Sequence, residues 1–292
     1  MAVQVDRMAL ADLGNPTAIA EAVLKQLGSV APPIPITEIA LGSGISDIQA
    51  LDTTAFEGAL IAPDTKQTGV ILVREASRHE RRRFTVGHEL GHFLNPWHRP
   101  PEGGFKCTAQ DMRTDAEKNA APRPKMEAEA NEFSAAILLP KAMFCADLKK
   151  MSEPGLEHVQ QLAKRYETSL IATARRFIKL HGDAKAVVVS KDGIVEQCYR
   201  EHGFPFVALN FGQAVHRKSA TATFGGVQDE CSNVDAVEPA LWLAEPLDGK
   251  ELFEEVLVQG NGYRVTLLSV ETSEDEDTEY ARERSAWNPV IR

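Results

Sequence analysis

The 292-residue sequence has few aromatic residues (7%), only four cysteines, and no apolar run near the roughly 20 residues of a membrane-spanning helix. Residues 1–13 lack the apolar core of a secretory signal. No two cysteines form a CxxC pair, which argues against a disulfide framework or a thiolate zinc knuckle. Positive charge is also in deficit, with 32 Lys and Arg against 42 Asp and Glu. These absences predict a cytoplasmic protein with reduced cysteines, no membrane partner and no chain-wide nucleic-acid surface.

The most informative motif is the HExxH sequence from His88 to His92, which lies in a predicted helix over 77–94. Positions i and i+4 share one helix face, so both imidazoles can bind one ion while Glu89 lies beside it. Zinc lowers the pKa of a bound water to about 7, and a neighbouring carboxylate can accept the proton. The motif therefore predicts a catalytic zinc site, although an exposed helix that binds no metal can contain the same sequence.

Two residues are candidates for the third protein ligand that a catalytic zinc needs. His98 lies six residues after His92, and the sequence HELGHFLNPWH has the spacing of metzincins. Glu127 lies in a second predicted helix, over 125–139, in the sequence EAEANEFSAAILLP. Glu129 points about 200° away from Glu127 around that helix, so only one of these two carboxylates can face the ion.

The sequences RFTVGHELGHFL and ExxANxFxxxxLLP together resemble the ImmA/IrrE family of metallopeptidases, over residues 15–180. The resemblance implies an α+β protein with a thermolysin-like zinc peptidase domain, in which a small antiparallel sheet lies beside the HExxH helix. It implies that His88, His92 and Glu127 are the three zinc ligands and that Glu89 is the general base. Two positions depart from the family pattern, because Gly87 and Ser134 stand where alanine is common.

Three further residues near these motifs have roles that the sequence leaves open. His98 is the second choice for the third ligand, because no Met-containing turn typical of metzincins follows it. Asn131, one turn after Glu127, is a candidate hydrogen-bond partner for a zinc ligand, with simple helix packing as an equal alternative. Cys107 could cap the zinc as an inhibitory thiolate, but no motif supports this and a bystander cysteine is the default.

The composition of the chain changes along its length and predicts four parts. Residues 1–150 form the predicted peptidase domain, with a long polar loop over 95–123. Residues 151–182 contain two predicted helices that resemble a helix-turn-helix. Residues 183–270 are strand-rich and resemble the variable C-terminal regions of the family, which in some members are GAF-like sensory domains. Residues 271–292 are an acidic tail, which we expect to be solvated and mobile.

The sequence supports two hypotheses about function. The first is a zinc-dependent endopeptidase whose substrate, by family resemblance, is a helix-turn-helix repressor or antitoxin in a stress, mobile-element or phage response. The second is a non-proteolytic regulator that uses the metallopeptidase fold to bind DNA or a partner protein. Residues 141–181 carry eight Lys and Arg against four acidic residues, yet direct DNA binding is not favoured in so acidic a chain.

Overall fold

The computed structural model describes most of the chain, namely residues 3–99, 105–113, 122–201 and 203–270. The chain divides into two compact units, which are Met1–Phe144 with Ala163–Ser169, and Cys145–Leu162 with Leu170–Arg292. We call the first the peptidase unit and the second the C-terminal unit. The acidic tail predicted at 271–292 lies outside the described residues, and the four-part domain division stays a prediction.

The described part of the first half of the chain contains five α-helices, and predicted capping residues mark both ends of the first. They are α1 (Pro16–Leu27), α2 (Ile36–Gly42), α3 (His79–Leu94), α4 (Pro122–Leu138) and α5 (Lys141–Leu148). The Asn15 side chain accepts a hydrogen bond from the Ala18 amide at 2.9 Å, and Pro16 takes the first helical position. Gly28 ends α1 with a φ of 70°, a conformation that glycine adopts without strain.

A four-stranded sheet lies in the peptidase unit. Its strands are β1 (Ile45–Leu51), β2 (Gly58–Ile61), β3 (Gly69–Arg74) and β4 (Phe105–Cys107), in the order β1-β3-β2-β4. The predicted antiparallel sheet is right for β2, which runs antiparallel to β3 and to β4. It is wrong for β1, which runs parallel to β3. Strand β3 lies between β1 and β2, so the chain reverses direction from β1 to β2 and again from β2 to β3, and the first and third strands run the same way side by side.

The core of the peptidase unit lies between α1, α3, α4 and the sheet. Buried apolar side chains from all four fill it, including Ile19, Ile71, Leu90 and Phe133. Every residue of α3 from Thr85 to Leu94 is buried. The HExxH motif is thus on the buried part of its helix, where polar side chains need partners.

The C-terminal unit contains an antiparallel sheet of five strands in the order β6-β5-β9-β8-β7. The strands are β5 (Lys185–Lys191), β6 (Ile194–Arg200), β7 (Asp235–Val237), β8 (Leu252–Val258) and β9 (Tyr263–Val270). The remaining helices of the described chain are α6 (Leu156–Tyr166), α7 (Leu170–His181) and α8 (Ala220–Thr223). The predicted break between α6 and α7 is confirmed at residues 167–169.

These elements confirm the mixed α+β class. The helix-turn-helix role of α6 and α7 stays a prediction, and so does the GAF-like nature of the five-stranded sheet. None of the helices in the described ranges combines the length and the apolar character that crossing a bilayer requires.

Candidate metal centre

Helix α3 brings the two motif histidines together on one buried face. His88 and His92 have no exposed surface, and their Nε2 atoms lie 3.2 Å apart. The helical period accounts for this, because residues four apart lie one above the other. Burial lowers the pKa of His92 to about 3. His92 is therefore neutral at physiological pH, and the neutral imidazole is the form that binds metal.

Helix α4 supplies the carboxylate that faces both rings. The Glu127 Oε2 atom lies 3.1 Å from His88 Nε2 and 3.3 Å from His92 Nε2. Burial acts to raise the pKa of Glu127, but the adjacent rings of His88 and His92 hold it below its usual range. Glu127 is thus an ionised carboxylate at the point where the two Nε2 atoms converge.

The close approach of α3 and α4 depends on small residues. A Cβ atom at Gly87 would lie 2.6 Å from Ser134 Oγ, and one at Gly91 would lie 3.1 Å from the Phe133 ring. The Ser134 hydroxyl donates instead to the Phe84 carbonyl of α3 at 2.8 Å. The two departures from the family pattern, Gly87 and Ser134, therefore face each other across this helix pair.

Asn131 holds the outer nitrogen of His88. Its Oδ1 atom lies 2.9 Å from His88 Nδ1, and its amide nitrogen donates to the Asp111 carbonyl at 3.0 Å. Since the Asn131 amide nitrogen is used by Asp111, Oδ1 accepts the proton of His88 Nδ1. The lone pair of His88 then lies on Nε2, which faces Glu127.

His98 lies behind His92 and does not join the group formed by His88, His92 and Glu127. The Nδ1 atoms of His92 and His98 are 3.0 Å apart, and His98 Nε2 is 2.8 Å from Glu129 Oε2. The Glu129 carboxylate accepts from His98 Nε2, so that His98 Nδ1 is free to accept the proton of His92 Nδ1. Glu127 and Glu129 thus face different histidines, as their spacing predicts.

Glu89 points from α3 towards strand β2. The side chain is fully buried, and neither carboxylate oxygen has a hydrogen-bond partner among the described residues. A Cβ atom at Gly58 would lie 2.6 Å from Glu89 Oε1, so glycine is required for this approach of β2. Burial raises the pKa of Glu89 to about 7. A carboxyl group with such a pKa suits both accepting and returning a proton near neutral pH.

Cys107 lies at the centre, whereas the sequence favours a bystander cysteine over a zinc-capping thiolate. It ends β4, opposite Gly58 of β2, and its Sγ atom lies 3.8 Å from His92 Nε2. Phe105 of the same strand stacks on the His92 ring, with centroids 4.1 Å apart. Burial, together with the Glu89 and Glu127 carboxylates, raises the pKa of the Cys107 thiol. The alternation of apolar Phe105 and Cys107 around Lys106 was the only signal in the sequence for this strand.

Lys66 fixes the last turn of α3. Its Nζ atom donates to the His92 carbonyl at 2.7 Å and to the Asn95 carbonyl at 2.8 Å. These carbonyls have no intrahelical partner at a helix end, and a cation there also complements the helix dipole. Burial lowers the pKa of Lys66 to about 8. The backbone that carries His92 is thus held in place by a buried lysine.

The residues present fit a divalent metal such as zinc. One ligand atom from each of His88, His92, Cys107 and Glu127 lies within 4.8 Å of all the others, and all four residues are buried. Imidazole nitrogen, carboxylate oxygen and sulfur are the ligand types that zinc takes.

Comparisons with known proteins agree with this chemistry. Residues 46–177 match the family model described as the IrrE N-terminal-like domain. The radiation response metalloprotease IrrE of Deinococcus radiodurans is 33% identical over 100 residues, which are 34% of this chain and 28% of that protein. The chain therefore matches less than a third of the length of this curated relative. The family resemblance of the HExxH and ExxANxF motifs is confirmed.

A solved structure of a Mycobacterium tuberculosis transcriptional regulator has the same fold. It matches with a TM-score of 0.57, over 97% of this chain and 85% of that chain, at 14% sequence identity. At this identity the likeness concerns the fold alone.

Proposed function

We propose that the chain is a zinc-dependent endopeptidase acting on a protein substrate, starting from the match of residues 46–177 to the IrrE N-terminal-like domain of the ImmA/IrrE metallopeptidases. One observation carries the proposal. His88 Nε2, His92 Nε2 and Glu127 Oε2 converge within 3.3 Å, next to the buried and unpartnered carboxylate of Glu89. Two imidazoles and one carboxylate are the protein ligands of thermolysin-like catalytic zinc.

We assign the roles of the side chains from their positions. His88, His92 and Glu127 would hold the metal, while Asn131 and His98 orient the two rings. The bound metal supplies Lewis acidity, which polarises the scissile carbonyl and makes water more acidic. Glu89 accepts the proton of the attacking water and returns it to the amine nitrogen of the leaving chain.

The substrate that we propose is a helix-turn-helix repressor or antitoxin, whose cleavage would release transcription during stress or a response to mobile elements or phage. This part of the proposal rests on the family resemblance. The name of the Deinococcus relative connects that protein to a radiation response, which is one form of stress.

The test compares the zinc-loaded chain with its Glu89→Gln variant on a whole-cell protein extract. Newly formed protein N-termini are then identified by mass spectrometry. We expect Glu89→Gln to lower cleavage by at least about 100-fold, because general-base catalysis contributes at least that much. Glu80→Gln, on the first turn of the same helix, is the matched control and should cleave like the wild type.

Each result decides a part of the proposal. Equal cleavage by wild type and Glu89→Gln would overturn the peptidase assignment. Cleavage that depends on Glu89 but spares every DNA-binding regulator would overturn the substrate class. Loss of a repressor in cells that persists in the Glu89→Gln variant would instead favour the non-proteolytic regulator.

A further inference from the structure

Strand β4 lies across the metal centre and contacts it at two points. Cys107 Sγ is 3.8 Å from His92 Nε2, and the Phe105 ring stacks on the His92 ring. The strand is held by β2 through three residue pairs, from Gly58 with Cys107 to Leu60 with Phe105. The Cys107 side chain is fully buried. Strand β4 therefore covers the side of the centre on which β2 lies.

A catalytic zinc needs one coordination position that the protein does not fill, whereas a structural zinc has four protein ligands. The centre contains four ligand atoms within 4.8 Å of one another, and the fourth is the sulfur of Cys107. His88, Glu89 and His92 have no exposed surface. The arrangement is therefore that of a closed centre, even though its other residues are those of a catalytic one.

We propose that Cys107 is a fourth protein ligand of the metal centre and that β4, which carries it, holds the peptidase in a latent state. The assignment of Cys107 as a ligand rests on the cluster of ligand atoms. The latent state rests in addition on the proposed function. Glu89 independently indicates a catalytic centre held closed, because a structural zinc site does not require a buried carboxylate without hydrogen-bond partners.

The exchange that opens the centre balances without any further reactant. Cys107 binds as a thiolate and gives its thiol proton to solvent. When Cys107 leaves, it takes up a proton, and a water molecule fills the position that the sulfur had. No electron is transferred in either direction.

Release of β4 would also uncover the edge of β2. Extended peptides commonly bind by adding a strand to an exposed sheet edge. Gly58 of β2 lies beside Glu89, and the edge of β2 next to it is paired with β4. A substrate strand and β4 would therefore compete for the same edge. A strand of three residues offers few hydrogen bonds, which makes such an exchange feasible.

The first experiment replaces zinc with Co²⁺ in the full chain and records its absorption spectrum. A thiolate ligand gives cobalt an intense charge-transfer band in the near ultraviolet, while imidazole and carboxylate do not. We expect this band in the wild type and in the control Cys145→Ser, and its loss in Cys107→Ala and Cys107→Ser. Wild type that binds one Co²⁺ without the band would overturn the assignment of Cys107 as a ligand.

The second experiment measures zinc affinity by competition with a chelator. We expect Cys107→Ala to lower the affinity by at least about 10-fold, since even an outer partner of a ligand contributes that much. Cys145→Ser should bind zinc like the wild type. An unchanged affinity in Cys107→Ala would contradict the proposal. Circular dichroism and the visible cobalt bands of the three remaining ligands show whether each variant is folded.

The third experiment repeats the search for new N-termini with Cys107→Ala. We expect cleavage at least about 10-fold faster than in the wild type, because a latent state leaves about a tenth or less of the molecules competent. Equal or slower cleavage by a folded, zinc-loaded Cys107→Ala would overturn latency. If the cobalt band is present and no variant cleaves any protein, the peptidase assignment fails while Cys107 remains a ligand.

Discussion

Each histidine of the metal centre uses both of its ring nitrogens. The inner Nε2 atoms of His88 and His92 face Glu127, and the outer Nδ1 atoms face Asn131 and His98. Since a neutral imidazole has one donor and one acceptor, fixing the outer nitrogen as donor leaves the inner nitrogen as ligand. The hydrogen bonds of the outer Nδ1 atoms with Asn131 and His98 thus contribute to the free energy of metal binding, although these two residues do not bind the ion.

The His98 side chain provides a direct test of this arrangement. We expect His98→Ala to lower zinc affinity by about 10- to 100-fold, because His92 loses the acceptor that orients it. His98→Asn should retain more affinity, since an amide oxygen can accept where His98 Nδ1 does. Chelator competition measures both values.

Glu127→Ala distinguishes a positioning role of His98 from a direct ligand role. If Glu127 is the third ligand, its alanine variant should lose more zinc affinity than His98→Ala, because the change removes a ligand and not only the partner of one. The opposite pattern would make His98 the ligand and refute the assignment of Glu127.

Much of the centre could be predicted from the sequence, because helical spacing is rigid. The i, i+4 pair His88 and His92 and the angle between Glu127 and Glu129 follow from the period of the helix alone. The place of Cys107 could not be predicted, because it depends on a strand of three residues in a polar segment. Such a strand shows less than two periods of alternation, so its partner β2 determines it rather than its own sequence.

The elements that carry the centre, α3 and α4, are packed through a matched pair of residues. Gly87 leaves the space that the Ser134 hydroxyl occupies, and that hydroxyl donates to the Phe84 carbonyl. Long helices with strong motifs, such as these two, were predictable. Helix α5 was not predictable, because Pro140 indicates the end of α4 in the sequence. In the structure the same proline also begins α5, and its carbonyl accepts a hydrogen bond from the Phe144 amide.

A double-mutant cycle measures the match between Gly87 and Ser134. We expect Gly87→Ala alone to destabilise the folded chain by about 1–3 kcal/mol, because the new methyl group meets the hydroxyl. In the double variant with Ser134→Ala, most of this loss of stability should disappear, because the hydroxyl that the methyl group meets is gone. Alanine also favours helix over glycine by about 1 kcal/mol. Urea unfolding of the metal-free chain gives the four values.

The control for this cycle is Ser134→Ala alone, which removes one hydrogen bond and should cost about 0.5–1.5 kcal/mol. If the effects of Gly87→Ala and Ser134→Ala simply add, the two positions are not coupled and the steric explanation is wrong.

At the scale of the whole molecule, the two units are not consecutive in the sequence. Residues Ala163–Ser169 belong to the peptidase unit although they follow a stretch of the C-terminal unit. Tyr166 is fully buried there, with its ring 5.7 Å from that of Phe144. Glu167 lies 2.9 Å from His79 Nε2 at the start of α3. The predicted boundary at 150 would separate these residues from the rest of their unit.

Two truncated chains test this prediction. We expect residues 1–150 to unfold at a lower temperature than residues 1–182, because the shorter chain lacks Tyr166. Loss of a large buried aromatic side chain costs about 3–5 kcal/mol, whereas the exposed ion pair of Glu167 contributes little. Thermal unfolding followed by circular dichroism measures both chains. Equal melting temperatures would show that residues 1–150 are a complete domain.

The facing pair of Gly87 and Ser134 also constrains the history of the chain. If the ancestral helices carried alanine at both positions, as is common in the family, a serine arriving first at position 134 would have met the methyl group of the facing alanine 2.6 Å away. The glycine substitution must then have come first and left a small void that the serine later filled. Relatives with glycine at the first position and alanine at the second are viable intermediates on this path, while alanine with serine is a combination that selection should have removed.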